Sequence, residues 1–170
     1  VKGKVSLGAV PEGLKPVYVH RQSRALPEIL QQLLIGSNNY VTNQVFLEIG
    51  ARKLGAPVSL NKSLQVARKL LAEQGLAKAI HLEEGSGISR GNRFTARGLA
   101  KVLHQFAPHA GLMRRTKAGS RYKTGTLSGV RTLAGFANTT KHGVVRFVIS
   151  IRGGSSRLRF RLLRAIERGL

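Results

Sequence analysis

An α+β fold is predicted from three observations: four helical-period segments fill the first two thirds of the chain, three strand-like segments follow, and one more helical stretch closes it. No internal repeat and no linker divides the 170 residues, so one domain is expected, helical over about 21–110 and sheet plus closing helix over about 120–170. Val17-Tyr18-Val19-His20, following Pro16, reads as a short strand. Leu26, Ile29, Leu30, Leu33 and Leu34 then recur at i, i+3, i+4, i+7 and i+8, which predicts an amphipathic helix with Pro27 in its first turn and Gly36 at its end.

After the turn Ser37-Asn38-Asn39, a second helix is expected from about Tyr40 to Leu54, closed by Gly55 with Pro57 beyond. A third is expected over about Asn61 to Gln74, with Leu64, Ala67, Leu70 and Leu71 inward. Ile80-His81-Leu82 suggests a short strand before the Gly-rich turn Glu84 to Arg90, which reads as structural. Thr95 is placed to cap a fourth helix that groups Leu99, Val102, Leu103 and Phe106 on one face. Strands follow over 121–126, 130–138 and 144–151, the last alternating Val145, Phe147, Ile149 and Ile151 with the opposite set. The segment Gly153-Gly154-Ser155-Ser156 breaks into a closing helix expected to bury Leu158, Leu162, Leu163 and Ile166.

Composition bounds the function. Hydrophobic residues make up 42% of the chain, an ordinary globular value, and no run of 18 apolar residues would span a membrane. With no cysteine, disulfides and thiolate metal sites are excluded, and the five histidines lack ligand spacing, so no metal or cofactor is expected. The chain opens Val1-Lys2-Gly3 without an initiator methionine, so the lack of a leader says nothing about compartment. The net charge of +22 sets 29 Lys and Arg against seven acidic residues, all Glu, and implies a polyanionic partner or surface. Nucleic acid, anionic cell-wall polymer and lipid headgroups all fit that charge. Against nucleic acid, the cations are dispersed, aromatics are 5% of residues, and no binding motif appears.

Two short motifs carry chemistry when read together. Lys123-Thr124-Gly125-Thr126 starts a strand, and Ser37-Asn38-Asn39 lies upstream; a Lys-Thr-Gly strand with a Ser-x-Asn loop is two thirds of the signature of penicillin-recognising serine enzymes. Taken alone, Ser37 and Asn39 read as the C-cap and N-cap of adjoining helices, and Lys123 as an exposed strand lysine; only their joint occurrence with the segments below points to a shared site. The remaining third is Ser-x-x-Lys, in which Ser sits at a helix start with Lys one turn on. Two matches exist, Ser59-Leu60-Asn61-Lys62 and Ser120-Arg121-Tyr122-Lys123. The second lies on a strand, where Ser and Lys point to opposite faces, and the first reads as a helix cap.

Together with Glu84-Gly85-Ser86-Gly87-Ile88-Ser89-Arg90, Asn92 to Arg97 and Ala134-Gly135-Phe136, these motifs resemble the C-terminal portion of the class C penicillin-binding proteins, the D-alanyl-D-alanine carboxypeptidase/endopeptidase family, over roughly Ser23 to Ile151. The resemblance implies a partial transpeptidase-like fold: a helical segment, a three-stranded antiparallel meander and a C-terminal helix. It implies acyl-enzyme hydrolysis of peptidoglycan peptides ending in D-Ala-D-Ala, β-lactams as ligands of the complete enzyme, and a periplasmic setting. Ser37 and Lys123 would be catalytic, Ser37 relaying a proton and Lys123 facing the substrate carboxylate. Asn39, Thr124, Gly125 and Thr126 would bind substrate, with the Thr126 N–H in the oxyanion hole. In that family the Ser-x-x-Lys helix lies upstream of everything here, so the resemblance implies a C-terminal fragment that is inactive alone and pairs with an N-terminal segment or a second copy. The alternative is a basic, non-catalytic binding module for nucleic acid or anionic cell-wall polymer.

Overall fold

A computed structural model describes residues 3–4 and 6–169. Helices α1 (Leu26–Gly36), α2 (Asn39–Leu54) and α3 (Leu60–Glu73) lead into a two-residue ribbon, β1 (Ile80–His81) with β2 (Arg93–Phe94). Then come α4 (Ala96–Phe106), a 3₁₀ turn over Ala107–Leu112, strands β3 (Arg114–Arg115), β4 (Arg121–Leu127), β5 (Val130–Thr139) and β6 (Gly143–Arg152), and the closing helix α5 (Ser156–Glu167). The layout is α+β, as the sequence predicts. The antiparallel sheet has the order β3-β4-β5-β6, so a short fourth strand extends the expected meander.

Strand alternation divides the core between the two sheet faces. Leu133, Ala137, Phe147 and Ile149 point to one side, where Leu163 of α5 seals them. Ala134 and Phe136 point to the other and meet Leu103 of α4 and Met113. Leu133 and Leu163 are 0% and 1% exposed, and each such side chain contributes about 1.5–3 kcal/mol of burial. The helical layer has its own joint. Gly50 of α2 faces Ser63 of α3 so closely that a Cβ there would lie 2.6 Å from the Ser63 backbone nitrogen. A glycine is what lets these two helices touch.

Beyond that added strand, the structure departs from the sequence reading at one expected strand and on three helix faces. Residues 17–20 form no strand; Val17 and Tyr18 are exposed, and no neighbouring strand offers them a ladder. The first helix buries Leu33, but Leu26 is exposed. Leu64 of α3 turns inward as expected, but Ser63 is buried beside it and Leu70 is exposed. The fourth departure is in α5, where Leu158 and Leu162 are 36% and 41% exposed, while Arg159 is 7% exposed. The inward stripe is Arg159, Leu163 and Ile166, because a polar need beneath β4, described next, draws the arginine in.

Candidate active site at the edge of the sheet

The loop Ser37-Asn38-Asn39 is shaped by capping at both sides. Ser37 ends α1 with φ 55° and ψ 49°, the left-handed conformation that favours glycine, and its N–H donates to the Leu33 carbonyl at 2.8 Å. No other described non-glycine residue has positive φ. Asn38 is the N-cap of α2, its side chain accepting from the Val41 N–H at 3.0 Å. The capping pair is therefore Ser37 and Asn38, not Ser37 and Asn39. This division of labour matters chemically. The Ser37 cap uses only its backbone, and Asn38 takes the side-chain duty, so the Ser37 hydroxyl and the Asn39 amide are both left exposed and spare.

The Ser37 hydroxyl accepts from the ammonium of Lys123 on β4. Lys123 also donates to the Thr124 carbonyl at 3.1 Å. Arg114 fixes the approach: its guanidinium donates to the Ile35 carbonyl at 3.0 Å, tying the end of α1 to β3. Burial pushes the Lys123 amine below its ordinary lysine value, and the Arg114 and Arg159 guanidiniums add to the push. A carboxylate arriving here would relieve that repulsion.

Edge geometry comes from strand lengths. β3 pairs only with Arg121 and Tyr122, so the outer edge of β4 from Lys123 to Leu127 has no strand partner among the described residues. Gly125 pairs with Thr132, and a Cβ on it would lie 2.3 Å from the Thr132 hydroxyl, so this glycine is needed where β4 meets β5. The Thr126 hydroxyl sits on the α5 side, where it accepts from Arg159 at 3.0 Å and keeps its own proton for donation. The same arginine nitrogen donates to the Gly125 carbonyl at 2.9 Å and the Thr132 carbonyl at 3.1 Å, while its Nε has no partner. Sequence reasoning missed Arg159 and Arg114. Nothing in one sequence separates them from the other arginines on this cationic surface.

The Gly-rich turn is a folded carboxylate nest. Glu84 accepts from the backbone N–H of Ser86 and Gly87, each at 2.7 Å, and from the Ser86 hydroxyl and the Asn92 amide, each at 2.5 Å. Burial alone would raise its pKa, but the hydrogen bonds outweigh it and hold the carboxyl at about 2. Asn43 of α2 accepts from the Gly85 and Ser86 N–H groups, anchoring the turn to the helix that starts at Asn39.

Neither Ser-x-x-Lys has nucleophile geometry. Ser59 occupies the N-cap position of α3 without a side-chain cap bond, and Lys62 turns away to the Gly55 and Pro57 carbonyls at 2.7 and 3.0 Å. Ser120 is 1% exposed and donates to Glu167 of α5 at 2.6 Å, while Lys123 is at the opposite-facing edge with Ser37.

Comparison with known proteins places the chain in a family. The model of the D-Ala-D-Ala carboxypeptidase 3 (S13) family matches residues 1–117, which include Ser37 to Asn39 and the Glu84 turn. D-alanyl-D-alanine carboxypeptidase DacB of Haemophilus influenzae is 27% identical over 183 aligned positions, covering 91% of this chain and 37% of that protein. The D-alanyl-D-alanine carboxypeptidase of Actinomadura sp. strain R39 is 32% identical over 165, covering 80% of this chain and 30% of that one. The chain thus spans about a third of the length of these relatives. In fold it is similar to penicillin binding protein 4 (dacB) of H. influenzae, with TM-score 0.73 at 21% identity over 84% of this chain and 40% of that one. It is also similar to a predatory endopeptidase of Bdellovibrio bacteriovorus solved with an immunity protein, with TM-score 0.63 at 20% identity over 84% and 42%. With the family model spanning more than half of its length, the chain belongs to the D-Ala-D-Ala carboxypeptidase 3 (S13) family, a class C penicillin-binding protein relative.

Proposed function

We propose that residues 1–170 form the carboxylate-recognising half of a serine D-Ala-D-Ala peptidase site acting on peptidoglycan peptides. The observation that carries this reading is the Ser37–Lys123 contact beside an unpaired strand edge, in a chain of this family. An extended peptide would add to β4 as a further strand, its terminal carboxylate meeting Lys123. The Thr126 N–H would be one oxyanion donor, with Thr124 and Gly125 shaping the edge beside it. Asn39 would orient the penultimate amide.

The acyl-enzyme step needs a nucleophilic serine and a general-base lysine, and neither Ser-x-x-Lys within residues 1–170 is placed to serve. Both groups would come from chain outside these residues. That serine would attack the penultimate D-Ala carbonyl, its proton passing to the lysine, and Ser37 would carry a proton on to the departing D-Ala amine. The second oxyanion donor would be the nucleophile's own N–H, and loss of either donor would cost about 10²–10³ in rate. Exposed Ile35, Ile49, Leu54 and Leu70 on the helical layer would offer apolar surface for that further chain or for a second copy. β-Lactams would acylate the complete enzyme, at the periplasmic peptidoglycan.

The test is a peptide titration of the 170-residue chain followed by NMR. A D-Ala-D-Ala-terminated peptide is expected to shift the Lys123–Leu127 amides, and its C-terminal amide or the Lys123→Ala chain should weaken binding at least about tenfold. Equal binding of acid and amide would overturn the reading. A fluorescent penicillin is expected to leave the chain unlabelled; a covalent label lost on Ser59→Ala would place the nucleophile within these residues after all.

A further inference from the structure

We infer that Arg114, the first residue of β3, is a specificity-determining residue of the site: it takes the second oxygen of the peptide's terminal carboxylate and ends the groove there. The inference rests on the reading of the β4 edge given under the proposed function. β3 lies on the same outer edge of β4 that a peptide would use, with Arg114 opposite Tyr122 and Arg115 opposite Arg121. It has no residue paired with Lys123, because Met113 leaves the edge and is buried in the core with Leu103 and Phe136. Arg121 holds that departure in place, donating to the Gly111 and Met113 carbonyls at 3.1 and 3.2 Å. A peptide added along Lys123 to Leu127 therefore lies in line with β3 and runs up against its Arg114 end.

Charge decides which end of the peptide arrives there. A peptide parallel to β4 would carry its carboxylate to the Leu127 end, away from both cations. The antiparallel direction, which β3 and β5 already take against β4, brings the carboxylate to Lys123 and Arg114. Lys123 cannot satisfy it alone. Of the three ammonium donors, one goes to the Ser37 hydroxyl and one to the Thr124 carbonyl, so a single N–H remains for two carboxylate oxygens. Arg114 is exposed, forms no ion pair among the described residues, and spends one N–H on the Ile35 carbonyl at 3.0 Å. The rest of its donor fork is free, close enough to Lys123 for its charge to act on that amine. A peptide continuing beyond the second D-Ala would leave both cations unanswered and collide with β3. The site is thus built for a free C-terminus, and Arg114 marks where the chain must stop.

The experiment is an NMR titration of the 170-residue chain with an acyl-D-Ala-D-Ala acid, its C-terminal amide, and the same peptide prolonged by glycine amide. The unaltered chain is expected to prefer the acid over both others by at least about tenfold. Arg114→Gln should bind the acid about tenfold more weakly and the other two unchanged, so that the preference collapses. Arg115→Gln, one residue on, should keep it. An equal loss for acid and amide in Arg114→Gln would reduce Arg114 to a clamp on α1 and overturn the inference. A preference that survives Arg114→Gln, or falls equally in Arg115→Gln, would overturn it too, while leaving the proposed function standing. No preference in the unaltered chain would overturn that function and this inference with it. Should Arg114→Gln fail to fold, the Arg114 Nε–H signal of the unaltered chain decides: it is expected to shift with the acid and not with the amide, and a signal indifferent to the acid would sink the assignment.

Discussion

Lys123 and Ser37 lie 86 residues apart in sequence and meet across the gap between β4 and the end of α1. The contact is assembled from both layers of the fold, one group from a strand edge and one from a helix terminus. It depends on Arg114, which holds the Ile35 carbonyl and so fixes where α1 stops.

Ser37 occupies a backbone conformation that costs a non-glycine residue about 1 kcal/mol. Ser37→Gly is therefore expected to raise stability by about 0.5–1 kcal/mol in urea unfolding while losing the hydroxyl that Lys123 holds. Weaker stability in the glycine variant would mean that the hydroxyl contact matters more to folding than the strained backbone does.

Peptide binding should depend on pH through Lys123. Its amine titrates below the ordinary lysine value of 10.5, because burial and two guanidiniums disfavour the cation. Carboxylate binding needs the cation, so affinity should hold at neutral pH and fall as pH rises through the lowered value, before free lysine would titrate. The folded state binds fewer protons than the unfolded one in that window, so the stability of the empty chain should move the opposite way and rise. Calorimetric titrations from neutral to alkaline pH, with parallel unfolding curves, measure both slopes.

Glu84 supplies an acid-side counterpart. Its folded pKa of about 2 lies below the ordinary 4.5, so its stabilising contribution is complete above 4.5 and is lost as pH falls towards 2. Discounting for its partial exposure, Glu84→Gln should cost about 1–2 kcal/mol at neutral pH. The gap between the two chains should close between those two pH values. A constant gap down to pH 2 would assign the loss to packing instead.

Arg159 is expected to act as a positioning residue. Arg159→Leu removes the donor to two carbonyls and the Thr126 hydroxyl, and should cost about 2 kcal/mol of stability. It should also weaken peptide binding, although the guanidinium lies on the far side of the sheet from Lys123. Arg161→Gln, exposed on the same helix, should change neither quantity.

Much of the architecture was legible because periodicity and capping speak locally. Thr95 was readable as a cap, and it does accept from the Gly98 N–H at 3.0 Å. Strands β4 to β6 follow their alternation within one residue at each end. The two-residue strands β2 and β3 were not legible, since Arg93-Phe94 and Arg114-Arg115 have no period to detect and exist only through their partners. The face of α5 departs from the expected one because apolar periodicity cannot foresee a buried guanidinium, which here meets two acceptors on β4 and one on β5. At the site, the Ser-x-Asn and Lys-Thr-Gly motifs were visible, but their meeting depends on Arg114 and on Asn38 taking over the cap, both tertiary facts.

The reach of Arg159 across both β4 and β5 makes α5 a latch on the edge where a peptide would add. One guanidinium bridges the Gly125 and Thr132 carbonyls, so trimming the chain after Gly154 would take that bridge from β4, about thirty residues upstream, while leaving every motif in place. Anything that grips the outside of α5 therefore has a mechanical handle on that edge.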